Sequence, residues 1–98
     1  MGDQASFDSD RSWRLHPRVA IRPEPFGALA YHYDNRRLSF LKAPELVTLV
    51  ESLEEHRSAR AALAASGVDR RRWPAFETAM ASLVASDFLV PGESIDAR

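Results

Sequence analysis

The sequence predicts an α+β domain in which three antiparallel strands are followed by three helices. Three observations carry that prediction. Apolar and polar or small residues alternate in three short runs between residues 18 and 41, the period of half-buried strands. After Pro44 the spacing of apolar residues becomes helical. The chain has 98 residues, 45% hydrophobic and 28% charged, which suits one domain with one modest core.

Residues 1–12 hold Asp3, Asp8 and Asp10 among Gly, Ser and Gln without apolar periodicity, and are expected to form a disordered lead-in. Trp13 and Leu15 are the first anchors, and His16-Pro17 forces an extended approach, because the residue before proline avoids the α region. In residues 18–22, Val19 and Ile21 oppose Arg18, Ala20 and Arg22. Pro23, Pro25 and Gly27 are expected to stop that strand and make a rigid connection. In residues 28–33, Leu29, Tyr31 and Tyr33 oppose Ala28, Ala30 and His32. Asp34-Asn35 fits a two-residue turn, since both side chains tolerate left-handed dihedrals. In residues 37–41, Leu38 and Phe40 oppose Arg37, Ser39 and Leu41, and the larger pair is expected to face the core. Short links between consecutive strands predict an antiparallel meander.

Pro44 pre-sets φ for a first helical turn, and Leu46, Val47, Leu49, Val50 and Leu53 follow it at helical spacing. Ser58 is the expected N-cap of a thin, alanine-rich second helix over residues 59–65, closed by Gly67. A third helix runs from about Trp73-Pro74 to Ser86 with the stripe Phe76, Met80, Leu83 and Val84. Phe88, Leu89 and Val90 complete the core of a domain spanning residues 13–90, and residues 91–98 form a flexible tail.

Composition excludes several function classes. The absence of cysteine removes disulfides, thiolate zinc sites and thiol nucleophiles together. A formal charge of −1 gives no global field for nucleic acid or anionic lipid. No apolar run approaches the length of a membrane span, the start does not resemble a signal peptide, and the cytoplasm is the expected location. His16, His32 and His56 lack the spacing of a metal motif and are expected to face solvent. The glutamates around the first helix lie on a solvated face that does not separate their pKa values, and no nucleophile elbow or phosphate loop exists. The chain is therefore expected not to be an enzyme.

Two binding readings remain. Strands with three helices can form a DNA-binding winged helix, and Arg70-Arg71-Arg72 precede the last helix, but that helix itself offers Glu77, Thr78, Ser82 and Asp87 and no cation. The last strand of the meander must instead leave an edge of free N–H and C=O groups, onto which an extended peptide can add. Its groove would be walled by Arg37, Leu38, Ser39, Phe40 and Leu41 on one side and by the third helix on the other, with Met80 or Trp73 flanking it. Dimerisation through the same edge is the structural alternative.

The run HPRVAIRPEPFGALAYHYDNRRLSFLK, followed by an apolar helix and a short alanine-rich helix ending at Gly67-Val68, resembles the mycofactocin-biosynthesis chaperones. These are small members of the PqqD-like family, whose domain is also called the RiPP recognition element. The likeness spans residues 15–90 and is most specific at residues 22–29 and 38–42. It implies a winged-helix-like domain without catalysis or cofactor, which binds the leader of a ribosomally made precursor peptide. The leader adds as a strand beside the third strand and is presented to a radical S-adenosylmethionine maturase. Carried onto this sequence, it places residues 37–41 on one wall and Phe76, Met80 and Leu83 on the other. Ala43-Pro44 and Arg70–Arg72 match no family pattern, and the three arginines are assigned to docking of the maturase as a working guess.

Overall fold

Each expected strand and helix has a counterpart in the folded chain, and two short strands are added to them. In the computed structural model, which describes residues 6–92, the order is β1 (Trp13–Leu15), β2 (Val19–Glu24), β3 (Gly27–His32), β4 (Leu38–Leu41), α1 (Pro44–Ser52), α2 (Ala59–Ser66), α3 (Trp73–Ala85) and β5 (Leu89–Pro91). Single 3₁₀ turns at Leu53–Glu55 and Arg70–Arg72 follow α1 and precede α3. Strands β2, β3 and β4 form the antiparallel meander, while β1 and β5 pair in a separate two-stranded ribbon. Of the disordered lead-in expected over residues 1–12 and the flexible tail expected over residues 91–98, residues 1–5 and 93–98 lie outside the described residues.

Local chemistry explains the helix boundaries. Pro44 opens α1, the Ser58 hydroxyl accepts from the Ala61 N–H to cap α2, and Gly67 ends α2 in the left-handed region at φ 81°. The ribbon closes the domain. Trp13 pairs with Pro91, is fully buried, and donates its indole N–H to the Asp8 carbonyl at 2.9 Å. Before it, the Ala59 and Arg60 N–H groups donate to the carbonyls of Arg11 and Ser9, which sets residues 9–11 against the start of α2. The core gathers Trp13, Leu41, Leu46, Leu49, Val50, Leu53, Leu63, Met80, Leu83, Phe88 and Leu89 between the sheet, the ribbon and the helices.

Four local expectations are corrected. First, β2 continues through Pro23 to Glu24 and turns on Pro25-Phe26. Pro23 is tolerated because β2 is an edge strand: Tyr33 N–H donates to the Arg18 carbonyl, so by alternation the backbone of Val19, Ile21 and Pro23 points away from β3. Second, the β3–β4 connection occupies five residues, 33–37. Arg36 at φ 63° donates its N–H to the His32 carbonyl, and Asn35 Oδ1 accepts from the Arg37 N–H.

Third, Leu38 and Phe40 do not face the core. They remain 57% and 56% exposed, whereas Leu41 is buried. The helices pack on the face made by Ala28, Ala30, Ser39 and Leu41, where small side chains let α1 approach closely. Leu29, Tyr31, Leu38 and Phe40 occupy the opposite, outer face. Fourth, His32 is 1% exposed instead of facing solvent, because it shares the inner face with Ala28 and Ala30 and packs edge-on against Phe88 at 5.5 Å.

Candidate peptide-binding site

The site is built outward from the backbone of β4. His32 N–H donates to the Arg37 carbonyl at 3.0 Å, which makes that pair a hydrogen-bonded one. With the register Ala30↔Ser39 and Ala28↔Leu41, alternation assigns the backbone groups of Ser39 and Leu41 to β3. The N–H and C=O groups of Leu38 and Phe40 therefore point out of the sheet. Among the described residues, no hydrogen bond reaches them and no strand lies beside them.

The two edges of the meander are unequal. On β2 the outward N–H of Val19 is taken by the His16 carbonyl at 2.9 Å, and Pro23 has none to give. A guest strand would find a single N–H there, at Ile21. Proline is a common way to blunt an edge against pairing. β4 has no such block and is the edge open to strand addition.

Beside β4 runs a groove of about 110 Å³ lined by Ser39, Phe40, Leu41, Leu46, Ala79, Ser82 and Leu83. It lies between the strand and α3, where the sequence places it, but its helix wall differs. Ala79, Ser82 and Leu83 follow the i, i+3, i+4 spacing of one helix face and supply that wall. Met80 is fully buried and does not line the groove. Phe76 is buried in the core, and Trp73 donates its indole N–H to the Val68 carbonyl at 3.0 Å; neither lines the groove. Leu41 and Leu83 show the groove only a small part of their surface, and Arg37 lies exposed beyond its end. Ala79 and Ser82 were missed because small or polar residues on a helix carry no apolar-stripe signal, and Leu46 because it reads as part of the core stripe of α1.

The three arginines before α3 are engaged locally. Arg70 stacks over the Trp73 ring at 4.6 Å, Arg71 pairs with Asp69 at 3.3 Å, and Arg72 lies over Phe76 and 3.6 Å from Glu45. Asp69 caps this turn by accepting from the Arg71 N–H. That bond, then the Arg71 side chain, then the charge of Arg72 hold its carboxyl below the usual range.

The fold also joins histidines that sequence spacing keeps apart. The rings of His16 and His32 lie 4.4 Å apart, and with Asp34 they offer ligand atoms within 4.8 Å of one another. Their Nδ1 atoms are already in use: His16 accepts from the Arg18 N–H at 3.0 Å, and His32 from the Asp34 and Asn35 N–H groups at 3.2 and 3.4 Å. A metal at either Nε2 would need the other nitrogen to donate, the usual arrangement for ligating histidine. Here the second nitrogen accepts, so the donor set does not fit a metal, and the cluster organises the β3–β4 connection.

A small α+β module with an open strand edge, an apolar groove beside it and, among the described residues, no assembled catalytic group has the form of a peptide-binding domain. Comparison with known proteins agrees. The model of the peptide chaperone MftB family matches residues 12–90, and the chain belongs to that family. It is 51% identical over 92 residues to the peptide chaperone MftB of Mycolicibacterium smegmatis, covering 94% of this chain and 90% of the relative. The peptide chaperone MftB of Mycobacterium tuberculosis is 45% identical over 92 residues, with 94% and 84% covered. The Mycobacterium ulcerans protein of the same name is 48% identical over 89 residues, with 91% and 82% covered. No solved structure matches this chain. Chaperoning a peptide is a non-catalytic role, and the chain is not an enzyme. No helix among the described residues is long and apolar enough to cross a membrane.

Proposed function

We propose that this chain binds the leader of a ribosomally made precursor peptide as a fourth strand along β4 and presents it to a radical S-adenosylmethionine maturase in mycofactocin biosynthesis. The observation that carries the proposal is the open backbone of Leu38 and Phe40 beside the groove lined by Ala79, Ser82 and Leu83. Main-chain bonds to those two residues set the register of the guest. Alternate side chains of the guest enter the groove, where apolar and small residues select for size. Ordering a flexible leader costs roughly 2–5 kcal/mol, so the main-chain bonds alone do not suffice and at least one apolar side chain must be buried. Holding the precursor next to the maturase raises its local concentration without new chemistry.

Calorimetric titration with the precursor encoded beside the chaperone tests this directly. The native leader should bind saturably and with little dependence on salt. Leaders N-methylated at alternate residues should bind in two classes, one unchanged and one weakened at least about tenfold, or ~1.4 kcal/mol. Uniform tolerance of N-methylation at every position would rule out strand addition.

A further inference from the structure

All four large hydrophobic side chains that the described residues leave exposed lie on or beside one surface, the outer face of the meander. They are Phe26, Tyr33, Leu38 and Phe40, at 40, 54, 57 and 56% exposure. The face is ordered by its own contacts. Phe26 stacks on Phe40 at 5.8 Å, Tyr31 meets Tyr33 edge-on at 5.0 Å, and Arg18, itself paired with Asp34, lies over the Tyr33 ring. Arg22 pairs with Glu24 on the same side. Concentrated apolar surface of this kind marks a docking site.

Its size argues about the occupant. Three strands about 4.8 Å apart, presenting some five residues at ~3.3 Å each, project roughly 250 Å². A stable protein interface needs about 800 Å² from each partner. The apolar face alone is therefore small, and a partner that seats on it has to use the surface continuous with it as well. The face is also continuous with the open edge of β4. In a strand added there, every other side chain points to the outer face beside Leu38 and Phe40, while the rest enter the groove.

We propose that the outer face docks the enzyme that modifies the same peptide, and that the bound leader supplies a fourth strand of that docking surface. This rests on the strand-addition reading above. The enzyme is the partner for which a small patch suffices, because it also holds the far end of the peptide and so meets the face intramolecularly. Leader and enzyme then bind with positive coupling, and the coupling is reciprocal.

Titration of the full-length chaperone with the maturase, with and without saturating leader, tests the proposal. The leader should tighten maturase binding at least about fivefold, the lower end of typical coupling. Tyr33→Ser, just past the end of β3, and Leu29→Ser, on β3, both away from the groove, should each weaken maturase binding to the loaded chaperone about tenfold. Leader affinity should stay within about twofold, and Tyr33→Phe should restore docking, since it keeps the apolar area. Circular dichroism of each variant excludes misfolding as the cause. Equal maturase affinity with and without leader overturns the proposal while leaving leader capture intact. So does loss of docking in Arg71→Glu with none in Tyr33→Ser, or a dimer in sedimentation that Tyr33→Ser dissolves. Failure of the wild-type chaperone to bind leader at all sinks the proposed function and this inference together.

Discussion

The imidazole Nε2 of His32 stands 3.3 Å from the Asp87 carboxylate, joining the end of β3 to the residue that terminates the α3 turn. Because Nδ1 accepts from two backbone N–H groups, the hydrogen-bond network assigns the proton to Nε2, facing that carboxylate. The contact does not form a hydrogen bond, and Nε2 has no other partner among the described residues. Asp87 also holds φ at 71°, a conformation that asparagine tolerates and alanine does not. Asp87→Ala should therefore cost about 2 kcal/mol through backbone strain and loss of the carboxylate that faces the His32 Nε2–H, lowering Tm by roughly 10 °C. Asp87→Asn, which keeps an acceptor and the backbone preference, should lose less than about half of that. Thermal denaturation of the two variants compares them, and equal losses would remove the His32 contact from the account.

Gly27 fixes the approach of β4 to the first hairpin. Its φ is +148°, and a Cβ there would overlap the Leu41 carbonyl oxygen and sit 3.0 Å from the Ala43 nitrogen. All of these are backbone atoms, so relief requires moving β4 or the start of α1. Gly27→Ala should destabilise the domain by about 3 kcal/mol or more, and lose leader binding with the fold. Chemical denaturation measures it. A loss under about 1 kcal/mol would mean that the strand can shift freely.

Much of this architecture was legible in the sequence. The meander followed from alternation, α1 and α2 from Pro44, Ser58 and Gly67, and the open edge from having only three strands. The ribbon of β1 and β5 was not, because three-residue strands such as Trp13–Leu15 carry no period. The orientation of β4 was misjudged for a different reason. Larger apolar residues are assumed to point inward, yet Ala28, Ala30 and Ser39 are small so that α1 can approach, which sends Leu38 and Phe40 outward. The alanines were the available signal. The same bias put Phe76 and Met80 on the groove wall, where close packing against a strand instead called for Ala79 and Ser82.

Asp69 gives the turn before α3 a defined acid response. A carboxyl whose folded pKa is lowered lends stability above its unfolded value and loses it as pH falls through the folded one. The Arg71 N–H is the largest cause of the lowering and the Arg71 side chain the next. Arg71→Ala should therefore return the Asp69 titration only partway to the ordinary range, because the backbone donor remains. Carbon-detected NMR titration of Asp69 in both proteins reads this out. Complete return to the ordinary range would transfer the main cause to the side chain.

The groove wall on α3 is the part of the site that can be altered with least damage to the fold. Ser82 is exposed, and its carbonyl accepts from the Ser86 N–H and hydroxyl. Ser82→Trp places an indole where the guest side chain is expected and leaves the buried stripe of Phe76, Met80 and Leu83 untouched. Surface changes of this kind shift stability by no more than about 0.5 kcal/mol, so Tm should move by only a few degrees. Leader affinity should fall at least about tenfold, since a blocked pocket forfeits the apolar burial that offsets the ordering of the peptide. Ala64→Trp, at an exposed site on α2, controls for the added bulk and should leave affinity unchanged. Calorimetry on both variants compares them, and native affinity in Ser82→Trp would move the leader out of the groove and off this face of α3.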